Sequence, residues 1–506
     1  MSNHFKIIVP FYNVEKWVDK CIKSIKLQDY NNFKAFLIDD ISTDNTANIV
    51  KELIADDDRF VFIQNKEKKY ALRNIVEAIE TSGDNESDII VTLDGDDWFA
   101  TKKALSVLNN RYNETGCAIT YGSYIEYPSM KKGKFCQKLP QNTILKNSYR
   151  QNIWLTSHLR TFKRGLWNKI NKDDLLSDKK ENKFYEMTWD MAFMFPMLEM
   201  AGPLSLHIPE TLYCYNRQNP LNDDKVNHQL QLKTEVEIRN KKPYKNKFLA
   251  CNILGPSDGM SGIGNQLFCV ATALSYAKDH NFVPYFTQLV NDSYIKKYKN
   301  LFYKNLSAGS ADVFTKTYSE PAFHYNKIDH CEDNLKITGY FQSEKYFEHN
   351  RDYILRKLNV KELKANIKEK YGDFSDYTSI HVRRGDYLKL SEYHYNLTMD
   401  YYKQCISSFD AEKEKFLVFS NDIEWCKDNF KFLKNVEFSH CEEDWEDIVL
   451  MSTCKNNIIA NSSFSWWGAW LNENSNKKVI APSKWFGPKF SSKNTQDLIP
   501  ASWNIV

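Results

Sequence analysis

No uninterrupted apolar run in the 506 residues reaches the roughly 18 needed to cross a bilayer, which disfavours an enzyme anchored in a secretory membrane. Charge of one sign is also missing. Lys and Arg number 68 against 65 Asp and Glu, a formal balance of +3 that gives no electrostatic footprint for nucleic acid. Any work done by basic groups must therefore be local. The eleven cysteines lack CxxC spacing and follow an opening without a signal peptide, so reduced thiols and a cytoplasmic setting are expected rather than disulfides or zinc. Peripheral contact with the inner face of a membrane stays open, as does the oligomeric state. There is no internal repeat and no low-complexity tract. What the chain does have is 42% hydrophobic and 14% aromatic residues, which argues for globular domains rather than disorder. At roughly 150 residues per domain, two to four domains are expected.

The first 245 residues alternate strand and helix. Lys6 to Asn13 is a short apolar run, followed by Trp17, Val18, Cys21, Ile22 and Ile25 at helical spacing. Phe33 to Asp40 repeats the strand signal, Ser42 to Asp44 offers a helix cap, and Ile49, Val50, Leu53 and Ile54 supply the next apolar face. Strands at Arg59 to Gln64 and Asp88 to Leu93, with a helix from Ala71 to Glu80 between them, complete an α/β pattern that predicts a mostly parallel, doubly wound sheet. Ligands in such sheets bind beyond the C-terminal strand ends. Asp39 and Asp40 end the second strand, and Asp94-Gly-Asp96-Asp97 ends the fourth. Carboxylates there can hold a divalent cation that neutralises a leaving diphosphate, although a solvated acidic turn has the same composition.

This order of features resembles the GT-A domains of glycosyltransferase family 2 over roughly residues 5 to 220. The resemblance implies a nucleotide-sugar donor, expected to be a UDP-sugar, a hexose (galactose is one candidate) as the transferred group, and Mn²⁺ or Mg²⁺ held by Asp94, Asp96 and Asp97. Asp39 is expected to accept from the base or ribose. Asp40 divides between that role and a helix N-terminal charge, Asp94 also faces the donor, and Arg73 falls with Asn65 and Asn74 in a segment like the family's nucleotide-side loop. Inversion at a sugar carbon needs a carboxylate to take the acceptor proton. Asp190, within Glu186 to Phe193, is the candidate, with an ordinary helix-start aspartate as the alternative; Thr-Trp precedes it where the family often has Glu. His158 to Lys163 and Tyr213 to Asn219 look like segments of the acceptor side.

Glu237 to Lys247 is polar and basic with one Pro, and a boundary is placed there, giving domains 1–245 and 246–506. The second again alternates, with strands near 248–254, 378–383, 415–420 and 456–460 and a helix near 265–279. Ser379-Ile-His381-Val delivers Arg383 and Arg384 ahead of a glycine turn, paired guanidinium forks that match a diphosphate. Gly262 to Phe268 and Asn461 to Trp470 each put small or polar residues before an apolar helical run, where backbone N–H groups meet anions.

These segments, with Gly339 to Phe347 and Phe419 to Cys426, resemble in order the alpha-1,2-fucosyltransferases of glycosyltransferase family 11. A GT-B-like fold follows from the resemblance; periodicity alone says α/β. It also implies GDP-fucose as donor with no metal cofactor, Arg383 stabilising the leaving diphosphate beside Arg384, and Asp422 reading guanine. His381, Gly264, Asn265, Gln266, Ser463 and Ser465 complete the donor-binding set. Asp386 is the candidate base, with a loop-holding role as its alternative, and Gly259 marks a departure from the family's glycine pattern. Trp466, Trp467 and Trp470 read as core packing. The combined expectation is a two-domain transferase acting on nucleotide sugars and a glycan or glycolipid acceptor. A glycan-binding or scaffold protein with one inactive domain is the alternative.

Overall fold

The computed structural model describes residues 2–256 and 261–506; Gly259 lies outside the described residues. The chain divides into one unit of Met1–Asn246 with Ser307–Val313, and a second of Lys247–Leu306 with Phe314–Val506. The eleven cysteines are all free, nine of them buried. Among the described residues no helix is long and apolar enough to cross a membrane.

The first unit is built on a nine-stranded sheet. Its parallel half runs Phe60–Gln64, Phe33–Asp39, Phe5–Phe11, Ile89–Thr92, as the alternating pattern predicts. Every residue of Phe5–Phe11 is buried, the signature of a strand covered on both faces. Val18, Cys21, Ile22 and Ile25 form the buried stripe of the helix that covers one of them. The other half departs from the expected doubly wound pattern. Arg160–Lys163 pairs antiparallel with Ile89–Thr92 and with Ile119–Tyr127, and Ser205–Asn216 then runs parallel to Ile119–Tyr127. Trp98–Phe99 closes that edge by pairing with Tyr213 and Cys214. The result is a mixed sheet in which the loop after Ile89–Thr92 is flanked by strands from far along the chain.

The second unit holds two separate all-parallel sheets, the architecture that defines GT-B folds. One has the order Phe282–Tyr285, Lys247–Cys251, Leu335–Thr338, Lys316–Ser319. The other runs Val436–Phe438, Lys415–Ser420, Tyr377–Val382, Asn456–Ile458, Val479–Ala481, Asn504–Ile505. Helix Ile263–Asp279 is buried nearly all round, and Phe268 meets Trp466 at 4.4 Å and Trp467 at 5.2 Å between ring centroids. Trp466, Trp467 and Trp470 are core, as their spacing suggests.

Candidate functional site

In the first unit the acidic loop follows Ile89–Thr92 directly. Gly95 lies so close to the Phe5–Phe11 strand that a Cβ would come within 2.4 Å of the Phe11 Cβ, so only glycine lets the loop turn there. The three aspartates it presents have separate fates. Asp97 is fully buried and already satisfied: the Tyr213 hydroxyl donates to one carboxylate oxygen at 2.6 Å and the Asn216 N–H to the other at 2.7 Å. This corrects its place in the expected metal set, because its oxygens bind the loop to Ser205–Asn216. Asp96 accepts from Asn219 Nδ2 at 2.7 Å, and Asp94 is touched by the Tyr213 hydroxyl only at 3.5 Å. Burial pushes the Asp94 carboxyl up to about 6, with Arg160 pulling it down against Asp96 and Asp190. Burial likewise raises Asp96, opposed by its bond from Asn219.

Two crowded carboxylates with uncommitted oxygens form a hard donor set whose mutual repulsion a divalent cation would relieve. Among the described residues no three His, Cys, Asp or Glu side chains form a closed metal cage. An open pair completed by diphosphate oxygens and water is how Mg²⁺ is ordinarily held, so Asp94 and Asp96 fit the group.

Arg160 stands out although residue patterns place it only within a longer segment. It is 2% exposed, sits opposite Thr92 in the sheet register, and donates from Nη1 to Asp190 at 2.9 Å. One guanidinium thus lies between the acidic loop and the candidate base. An arginine on a strand whose neighbour ends in acids was the available signal. Asp190 takes a second bond from the Met191 N–H at 2.9 Å. His158 stacks on Tyr213 at 4.4 Å, and burial holds its imidazole well below its usual range, with Arg160 adding to the effect.

The other residues of the set separate. Asp39 is buried and accepts from the Ser42 N–H and Gln64 Nε2, both at 3.0 Å. Asp40 accepts from the backbone N–H groups of Lys69 and Tyr70 and from Asn65 Nδ2, at 2.8 to 2.9 Å. Burial opposes these bonds, but together with Lys68 they hold its carboxyl below the usual range. Asp40 thereby anchors the start of helix Tyr70–Thr81, the helix-charge side of its expected division. Arg73 is paired with Glu77 and Glu67, at 2.9 and 3.1 Å.

In the second unit, the loop after Tyr377–Val382 reaches the approach to helix Ser463–Trp470, on whose start helix Ile263–Asp279 packs. Gly264 packs so tightly on the start of Ser463–Trp470 that a Cβ would lie 2.5 Å from the Ser463 carbonyl carbon. Gly264→Ala is expected to destabilise by about 1–3 kcal/mol through overpacking, read by thermal melts. The Tyr387 hydroxyl donates to the Asn461 carbonyl at 3.2 Å, and Arg383 lies 5.2 Å from the Tyr387 ring. Arg383 Nη2 also donates to Asp386 at 2.8 Å, while its buried Nε has no hydrogen-bond partner among the described residues.

Arg384 diverges from Arg383. Its Nε donates to Asp422 at 3.0 Å and its guanidinium covers the Trp425 ring at 3.8 Å. Asp422 also caps helix Ile423–Asn429. The expected pair of forks is therefore split, Arg383 paired with Asp386 while Arg384 is engaged in an Arg384–Asp422–Trp425 cluster. Gln266 is fully buried, donating to the Ser261 carbonyl and accepting from the Tyr303 hydroxyl. Ser465 is fully buried against Ala460. Both departures from the donor-binding set have one cause, that these side chains point into the core. Asn265 accepts from Gln342 Nε2 at 2.8 Å, and Ser463 stays partly exposed at the helix start.

His381 is buried beside Phe464, its Nδ1 unpartnered, and burial followed by Arg383 lowers it to about 3 from 6.5. The unfolded chain takes up this proton first as pH falls, so the stability it contributes is full above 6.5 and is lost toward about 3. The cost is about 1.4 kcal/mol per pH unit. His381→Gln should flatten the fall of the urea midpoint across that window.

The model of glycosyl transferase family 2 matches residues 6–170 and that of glycosyl transferase family 11 matches 264–506. The O-antigen biosynthesis glycosyltransferase WbnK of Escherichia coli is 37% identical over 204 residues, which are 37% of this chain and 68% of WbnK. An alpha-1,2-colitosyltransferase of Escherichia coli is 35% identical over 34% of this chain and 62% of its own length. Human galactoside alpha-(1,2)-fucosyltransferase 1 is 28% identical over 27% and 43%. Among solved structures, S. aureus TarS 1-349 in complex with UDP-GlcNAc aligns at a TM-score of 0.34 and 16% identity, over 55% of this chain and 73% of that one. With a 37% identical relative covered over two thirds of its length, the family 11 model matching residues 264–506 and the family 2 model matching 6–170, the chain belongs to glycosyl transferase family 11 and carries a family 2 glycosyltransferase domain ahead of it.

Proposed function

We propose that the family 11 half transfers fucose from GDP-fucose to the 2-hydroxyl of a terminal galactose with inversion, and that the family 2 half adds a hexose from a nucleotide sugar. The observation that supports the first part is Arg383, with its unpartnered Nε, packed on Tyr387, whose hydroxyl bonds the Asn461 carbonyl just ahead of Ser463–Trp470, the helix on whose start Gly264 of Ile263–Asp279 packs. Guanidinium groups and helix starts are the usual partners of a diphosphate. As the galactose hydroxyl attacks the anomeric carbon, the bond from that carbon to the diphosphate oxygen breaks and charge collects on GDP, where Arg383 stabilises it. Asp386 orients Arg383 through their ion pair; its other oxygen, held only at 3.5 Å by Asn421 Nδ2, is placed to take the hydroxyl proton.

In the family 2 half, Asp94 and Asp96 would hold Mn²⁺ or Mg²⁺, which when bound neutralises the leaving diphosphate. Asp190, oriented by Arg160, would accept the proton.

The test is calorimetry on the full chain. GDP should bind in excess EDTA and UDP should bind more weakly at that site; equal affinity, or loss of GDP binding with EDTA, overturns the assignment. The colitosyltransferase relative makes colitose a second donor sugar, which parallel turnover of the two nucleotide sugars separates. Donor binding without transfer to any acceptor would instead support a glycan-binding protein.

A further inference from the structure

The second unit contains a cavity of about 630 Å³ outside the donor constellation. It opens at the C-terminal ends of Lys316–Ser319 and Leu335–Thr338, which pair in parallel with Ser319 opposite Thr338. Strand ends of a parallel sheet are where ligands collect, and the volume is that of a small-molecule pocket.

Its walls are formed with care. Gly339 lets the chain pass Glu320 so closely that a Cβ would meet the Glu320 Cβ at 2.5 Å. The Glu320 carboxylate accepts from the Tyr340 and Phe341 N–H groups at 2.8 and 3.0 Å and from the Tyr346 hydroxyl at 3.1 Å, so it braces the wall rather than facing a ligand. Phe323 and Tyr340 present aromatic rings to the space. Two polar groups remain unused. His324 Nδ1 is buried without a partner. The Lys493 ammonium lies among four rings, 4.1 Å from Phe490, 5.2 Å from Phe323 and Phe486 and 5.8 Å from Tyr340. Among the described residues no carboxylate is within ion-pair distance of it. Aromatic faces for C–H surfaces beside unpaired hydrogen-bonding groups are the chemistry of a saccharide ring with its hydroxyls.

The wall also leads to the donor site. Two residues beyond Tyr340, Gln342 donates to Asn265, next to the Gly264 that packs on Ser463. We propose that this cavity is the acceptor subsite of the family 11 half, taking the terminal saccharide of the glycan with Lys493 and His324 bonding its hydroxyls and Phe323 and Tyr340 flanking its ring. The inference rests on the transferase reading given above.

The test uses the full chain with Ser492→Trp and Lys493→Met. Ser492 is an exposed residue of the cavity rim, so a tryptophan there blocks the space without removing a buried contact. Binding of a methyl β-galactoside is followed by saturation-transfer NMR, and turnover with GDP-fucose gives acceptor KM and kcat separately. Saccharide binding should be lost in Ser492→Trp, and acceptor KM should rise about tenfold in Lys493→Met from loss of a hydrogen bond to the sugar, with GDP affinity unchanged in both. Saccharide signals and KM unaltered in folded Ser492→Trp overturn the subsite. Wild-type chain that binds the galactoside there yet transfers no fucose overturns the fucosyltransferase reading and leaves the subsite standing.

Discussion

Arg383→Ala should lower fucose transfer by about 10²–10³-fold, the usual loss when one preorganised group facing developing transition-state charge is removed. Three features point to this residue rather than its neighbour. Arg384 is already committed to Asp422 and Trp425, whereas Arg383 keeps a buried N–H without a partner among the described residues and packs on Tyr387, whose hydroxyl bonds the Asn461 carbonyl ahead of Ser463–Trp470. Lysine should not restore activity, because a single ammonium cannot keep the Asp386 ion pair and fork a diphosphate together. Arg384→Lys should act differently, lowering thermal stability through loss of the Trp425 stack and the Asp422 bond, with kcat falling less. The measurement is single-turnover transfer from GDP-fucose with melting curves on the same preparations. If Arg383→Lys keeps full kcat while Arg384→Lys loses it, the roles assigned to the two arginines must be exchanged. Either variant should leave the family 2 reaction at its wild-type rate.

Much of the fold was readable because its first half repeats local signals. The apolar runs at Lys6 to Asn13 and Phe33 to Asp40 lie on observed strands Phe5–Phe11 and Phe33–Asp39, since buried parallel strands are written as continuous hydrophobic stretches. The mixed half was less readable. Arg160–Lys163 has four residues and Trp98–Phe99 two, too short for a period to show, and their pairing is set by partners far along the chain. The same limit separates site residues of one chemical type. Asp94, Asp96 and Asp97 look alike in sequence, but Tyr213 and Asn216, more than a hundred residues on, consume only Asp97. Gln266 sits beside Asn265 in the motif, yet helix geometry turns it toward Tyr303 in the core while Asn265 reaches Gln342. A motif fixes where the backbone goes; burial decides which of its side chains remain to bind anything.

Asp96→Asn should abolish hexose transfer by the first unit, by about 10²-fold or more, because it removes one of two carboxylates whose oxygens are available to a divalent cation. Its shape is nearly that of aspartate, and the bond from Asn219 Nδ2 can still reach the amide oxygen, so the loop should hold its place. Asp97→Asn provides the contrast. There the loss falls on a buried carboxylate that accepts from Tyr213 and Asn216, and an amide can offer only one good acceptor to those two donors. That variant should lose thermal stability along with activity, whereas Asp96→Asn should melt at or above the wild-type temperature, since removing one of two crowded, partly buried acids relieves repulsion. The deciding measurement is hexose transfer titrated with Mn²⁺ or Mg²⁺ from a chelated start. Wild type should gain activity with added metal and Asp96→Asn should stay inactive at every concentration, while both transfer fucose equally in EDTA. Full wild-type hexose transfer in excess EDTA, or full activity of folded Asp96→Asn, would remove the metal from the first site.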